Sequence, residues 1–190
     1  MSEGRGGTQT RRALLAGALA SAALPTQAQL WPIQSGVPGI DQRHLWIRQA
    51  GRREVLHVAF REIDGAPRTG GVQALSWLFR DWKDNDAIAW IDIRLFDLLA
   101  GIQTFLTIRA KSARQVILTS GYRTPSRNIG IEGAAVNSQH IHGRAADIIV
   151  PGLGQPDVRE AAKIAGAPGL GAYAAFTHVD VGPPGRTWNG

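Results

Sequence analysis

The spacing of apolar positions changes along the chain, and each change predicts an element. "HLWIR" and "EVLHVAF" alternate about the Gly51 region and predict a β-hairpin. In "GGVQALSWLFRDWKD", Leu75, Leu78, Phe79 and Trp82 recur at helical intervals. "DIRLFDLLAGIQTFLTIRAK" does the same with Leu95, Leu98, Leu99, Ile102, Phe105 and Leu106, and Asp92 is its predicted N-cap. "QVILTS" is a short β-branched strand, "GYRTPSRN" a loop, and "GRAADIIV" a strand entered from a glycine. "QPDVREAAKIAG" is a helix. "LGAYA" and "FTHVDV" are strands with almost nothing between them, so they are expected to pair as a hairpin. The closing "GPPGRTWNG" reads as a tail. Helices come first, followed by a small, mostly antiparallel sheet with an intervening helix. That order predicts the α+β class.

The N-terminal stretch follows a different pattern. In "TRRALLAGALASAALPTQA", Thr10 to Ala28, Arg11 and Arg12 directly precede an apolar run that Pro25 ends. The run is too short for a stable membrane anchor. "TQA" ends in the small residue that a signal peptidase reads, and the paired arginines resemble a twin-arginine export signal. The expected organisation is a signal peptide over 1–28, a Pro/Gly-punctuated linker over 29–42, and one catalytic domain over 43–190. No membrane span is expected once the signal is removed, and the expected location is periplasmic or exported.

The 190 residues are 44% hydrophobic and 19% charged, which suits one globular domain. The net charge is +6, and Arg5, Arg11 and Arg12 against Glu3 put +2 of it in the first 28 residues. A basic surface can face nucleic acid, anionic lipid or an anionic polymer such as cell wall. Here the excess is scattered, without clustered arginines or a reading element, so nucleic acid is not an expected partner. There is no cysteine, which excludes disulfides, thiolate nucleophiles and Cys-based metal sites.

The chemistry concentrates in "SQHIHGRAADI", Ser138 to Ile148, and in "FTHVDV". Strand geometry puts residues i and i+2 on one face. Ala145, Asp147 and Ile149 therefore share a face, as do His178 and Asp180. Carboxylates within core-like strands are costly unless they are compensated. Taken singly, His140 reads as a loop histidine, Asp147 as a partner of Arg144 or Arg123, and His178 as a strand histidine. Taken together, His140, Asp147 and His178 supply two imidazoles and a carboxylate, a donor set sufficient for a catalytic zinc that keeps its fourth position open. Gly143 permits the turn between His140 and the strand. The helix-borne H-E-x-x-H signature is absent.

"SQHIHGRAAD" fits S-x-H-x-x-G-x-A-x-D at every fixed position. That pattern resembles the LAS-type zinc peptidases, which include D-Ala-D-Ala carboxypeptidases, D-Ala-D-Ala dipeptidases and the zinc-binding domain of sonic hedgehog. "SGYRTPSRN" resembles the group's upstream arginine loop, and "FTHVDVGPPGRTW" the downstream strand of its murein endopeptidase K branch. The resemblance implies a hedgehog-like fold and Zn2+ held by His140, Asp147 and His178. It implies that Arg123 faces a substrate carboxylate or the developing oxyanion, as a guanidinium suits. It implies that Tyr122 packs or lines the cleft and that Ser138 belongs to the substrate side. Many relatives carry an acidic general base three residues before the last histidine ligand. Ala175 stands there in this chain. Asp180 is the first candidate to replace it, either as the base or as a group that orients an imidazole. His142 is the second, as a catalytic or a rim residue. The expected activity is zinc-dependent hydrolysis of peptide cross-links in peptidoglycan. The alternatives are a zinc-containing wall-binding domain without turnover, and a carboxypeptidase. Neither the bond cleaved nor the oligomeric state is legible.

Overall fold

The computed structural model describes Met1 and residues 43–190. The expected signal peptide and linker lie outside the described residues. Residues 43–190 belong to one compact unit and are α+β, as the element order predicts, but all their strands join a single mixed sheet.

Strands β1 (His44–Gln49) and β2 (Val55–Ala59) form the expected hairpin. Helix α1 (Thr69–Leu78) follows, then α2 (Ile93–Ala110), whose first turn is capped by the Asp92 side chain accepting from the Arg94 N–H. Next come β3 (Val116–Ser120), the short helix α3 (Pro125–Ile129), a single 3-10 turn (Gln139–His142) and β4 (Ala145–Ile149). Helix α4 (Gln155–Ile164) leads to β5 (Gly169–Ala172), β6 (Thr177–Asp180) and β7 (Arg186–Asn189). The seven strands run in the order β2-β1-β3-β4-β6-β5-β7. The β1–β3 and β5–β7 pairs are parallel and the other four antiparallel. The sheet is therefore mostly antiparallel, and it includes the N-terminal hairpin instead of following the helices.

Three local expectations are corrected. Trp82 does not continue α1. The helix ends at Leu78, and the chain turns through an isolated bridge between Asp81 and Ala87 that leaves Trp82 on the surface. "GYRTPSRN" is not wholly loop, because the Thr124 hydroxyl caps α3 and Pro125 occupies its first turn, where a missing N–H has no consequence. The "tail" is a strand: β7 pairs along β5 from Gly169↔Arg186 to Ala172↔Asn189.

Strand alternation separates two faces. Leu45, Ile47, Leu118, Ala146, Ile148, Val179 and Leu170 join the core, with Phe60, Phe79, Leu95, Phe96, Leu99 and Ile102 among its other members. Asp147, His178, Gly171 and Trp188 lie side by side across β4, β6, β5 and β7 on the opposite face. A register shift between Leu118 and Ser120 brings Ser120 opposite Asp147 and extends the row to β3.

Candidate metal centre

Asp147 is fully flanked by strands and buried, with 3% exposure. Its Oδ1 lies 2.8 Å from His178 Nδ1 and 3.2 Å from His140 Nε2, and those two nitrogens are 3.2 Å apart. His140 and His178 are themselves buried. The three ligand atoms lie within 4.8 Å of one another, close enough to share one ion. His140 comes from the 3-10 turn. The Ser138 hydroxyl caps that turn by accepting from the His140 N–H, and Gly143 closes it at φ +63°, with the Trp90 carbonyl occupying the space a Cβ would need. Ser138 therefore shapes the turn that carries His140.

Each imidazole is fixed from its far side. His140 Nδ1 donates to the Gly121 carbonyl at 2.7 Å, so the Nε2 lone pair faces Asp147. His178 Nε2 lies 3.2 Å from Asp180 Oδ2, so Nδ1 faces inward. This is how outer partners orient metal-ligating histidines. Burial holds His140 below the ordinary imidazole pKa and favours its neutral form. Burial also lowers His178, but hydrogen bonds to Asp147 and Asp180 outweigh it and leave that ring above the ordinary value. Burial opposes ionisation of Asp147, and the two imidazoles overcome it, holding the carboxyl well below the usual range. The result is an ionised carboxylate and two aligned ring nitrogens, a donor set that suits a divalent cation.

The remaining sequence candidates are distributed around this cluster. The Arg123 guanidinium donates from Nη2 to Asp147 Oδ2 at 2.6 Å and from Nε to Ser120 Oγ at 2.9 Å. It thereby fixes the carboxylate oxygen turned away from the histidines. Asp180 is fully buried: Oδ1 accepts from the Gly182 N–H at 2.8 Å and from the Arg186 guanidinium, and Oδ2 faces His178. Of its two expected roles, this geometry fits the orienting one, because Asp180 addresses the ring nitrogen directed away from the cluster. His142 is exposed, with Nε2 2.6 Å from Asn137 Oδ1, and does not join the cluster. Tyr122 packs against the core. Ala175 is exposed.

Sequence reasoning missed what β7 contributes. Side chains from β7 can touch β6 only because β5, lying between them, carries Gly169 and Gly171. A Cβ at Gly169 would stand 2.0 Å from Asp180 Oδ2 and 2.7 Å from Arg186 Nη2; one at Gly171 would stand 2.8 Å from the Trp188 ring. Through these gaps Arg186 holds Asp180, and Trp188 lies against His178 with ring centroids 5.1 Å apart. The available signal was the Gly-x-Gly spacing in "GLGAY" followed by the Arg-x-Trp spacing in "GRTWN".

The fold and the buried cluster define an α+β protein with two histidines and one aspartate gathered where they could hold a metal ion. Residues 38–188 match the family described as peptidoglycan L,D-endopeptidase MepK, and the chain belongs to that family. It is 37% identical over 120 residues to the peptidoglycan L,D-endopeptidase MepK of Escherichia coli strain K12, a stretch covering 60% of this chain and 63% of that protein. It is 32% identical over 151 residues to the probable peptidoglycan L,D-endopeptidase MepK of Haemophilus influenzae, covering 70% of this chain and 78% of that one. The chain thus spans less than two thirds of the length of the Escherichia coli relative.

Proposed function

We propose that this protein is an exported zinc peptidase that hydrolyses peptide cross-links of peptidoglycan on a hedgehog-like scaffold. The observation that carries the reading is the buried convergence of His140, Asp147 and His178 within 4.8 Å, in a chain of the MepK family. These three residues would hold the ion. When bound, zinc supplies a Lewis acid that polarises a carbonyl and generates a nucleophile from water near neutral pH. The Gly121 carbonyl and Asp180 keep the two rings aligned, and Arg123 holds the outer oxygen of Asp147 so that the other faces the rings. The proposed organisation is a twin-arginine signal over 1–28, a linker over 29–42 and the catalytic domain over 43–190, with the periplasm as destination. Among the described residues no helix is long and apolar enough to cross a membrane.

The test is digestion of purified sacculi with the zinc-loaded protein, followed by muropeptide profiling. Loss of cross-linked species that a chelator prevents is the expected result, and the profile names the bond. The absence of an acidic side chain at Ala175, with Asp180 turned away, favours one second reading, a wall-binding domain without turnover. Sacculi that bind the protein and emerge uncut would establish that reading and overturn the first. For export, a reporter fused to residues 1–30 should be translocated only while Arg11 and Arg12 are intact.

A further inference from the structure

Tyr173 lies just beyond β5 and had no role in the expectations from sequence. A contact through Trp188 brings it to the rim of the metal centre. Its hydroxyl oxygen accepts the Trp188 Nε1–H at 3.1 Å, and Trp188 is the residue whose ring lies against His178. The hydroxyl is therefore tied to the His178 side of the cluster through Trp188. The ring is held as well. Phe176 stacks on it with centroids 4.4 Å apart and planes 20° from parallel, and a side chain at Gly190 would run into it. Tyr173 remains half-buried. A hydroxyl has one proton to donate. With the Trp188 N–H directed at its oxygen, that proton is left for a group in the cleft.

The other donor expected at this rim is partly committed, since Arg123 directs Nε to Ser120 and Nη2 to Asp147. We propose that Tyr173 is a catalytic residue whose hydroxyl donates a hydrogen bond to the scissile carbonyl oxygen as it gains negative charge during attack by water. No proton is transferred in this contact. The carbonyl π electrons move onto that oxygen as the water oxygen bonds to carbon; they return when the C–N bond breaks, and the proton the water gives up ends on the nitrogen, which leaves as the amine. A donor held in place before the reaction is worth most where charge develops, because it need not reorganise.

This inference rests on the hydrolase reading, and the experiment separates the two. Wild type and Tyr173→Phe are compared on a cross-linked muropeptide, with zinc content and thermal midpoint measured on both. A phosphinate analogue of the scissile peptide, whose tetrahedral P–O⁻ mimics the developing charge, is titrated by calorimetry. Phe keeps the stack on Phe176, so zinc content and midpoint are expected to stay unchanged. The expected effect is a kcat lower by about 10²-fold with KM little altered, the scale for removing one such donor, and phosphinate binding weakened at least tenfold. A wild type that cleaves while Tyr173→Phe retains its kcat and its phosphinate affinity overturns this proposal alone. A wild type that does not cleave overturns the hydrolase reading, and this proposal with it.

Discussion

Asp180 has an ordinary explanation and a catalytic one, and its geometry separates them. The carboxylate touches the His178 nitrogen directed away from the cluster and is itself anchored by Arg186 and the Gly182 N–H. A group placed so acts on the metal through the imidazole it orients. Asp180→Asn is therefore expected to weaken zinc binding about 10- to 100-fold, the usual range for outer partners of a ligating histidine. Competition against a chromophoric chelator measures this. A general base would behave differently, since its asparagine variant would keep full zinc affinity and lose only turnover. At this scale the sequence was informative where chemistry is local. The stretch from Ser138 to Asp147 offered two candidate ligands and a turn glycine in one continuous run, and the structure brings those two side chains together, while Ser138, read as a substrate-side residue, caps the turn. It could not identify the Gly121 carbonyl, because a backbone oxygen has no residue signature. Nor could it identify Arg186, which meets Asp180 across an intervening strand.

The elements divide in the same way. The β1–β2 hairpin, α2 and the β5–β6 hairpin are set by neighbours in sequence, and their periodicity and caps announced them. Strand β7 has only four residues, follows a Pro/Gly stretch and pairs in parallel with a strand that is not its sequence neighbour. Short range alternation cannot reveal such a partner. Helix α3 was a different kind of miss, since Thr124 followed by Pro125 is a local start signal that was outweighed by the turn-rich composition around it. The Gly-x-Gly of β5 lets β7 side chains reach β6, which gives a direct test. Gly169→Ala puts a methyl 2.0 Å from Asp180 Oδ2. It should cost about 1–3 kcal/mol, as overpacking typically does, and lower zinc affinity along with the thermal midpoint. Gly70→Ala is the control, because a Cβ there meets nothing within 4 Å. It lies in α1, so its midpoint should hold or rise slightly. Equal midpoints for the two variants would show that the cross-strand gap is not needed.

At the scale of the whole molecule, Arg80 joins segments distant in sequence. Its guanidinium is 2% exposed and donates to Glu54 beside β2 at 2.7 and 3.1 Å, to Asp86 in the loop after α1 at 2.7 Å, and to the Trp77 carbonyl at 3.0 Å. The same loop carries Asp81, which accepts from the Thr124 N–H and from Arg127 and so secures the segment following Arg123. A buried guanidinium deprived of an acceptor is costly, but the Glu54 side chain is 33% exposed and water compensates in part. Glu54→Gln is accordingly expected to cost about 1–2 kcal/mol at pH 7, on the scale of hydrogen bonds to charged groups. The Arg80 hydrogen bonds hold the Glu54 carboxyl below its ordinary value of 4.5, against the opposing effect of burial. A carboxyl depressed in the folded state gives its full stabilisation above the unfolded-state pKa and loses it as pH falls through the folded one. The wild-type advantage over Glu54→Gln should therefore be complete at pH 7 and shrink progressively below about pH 4.5. Urea titrations of both proteins at pH 7 and pH 4 measure it. An equal difference at the two pH values would mean that the carboxylate charge is not what holds Arg80, and that Glu54 contributes there by shape alone.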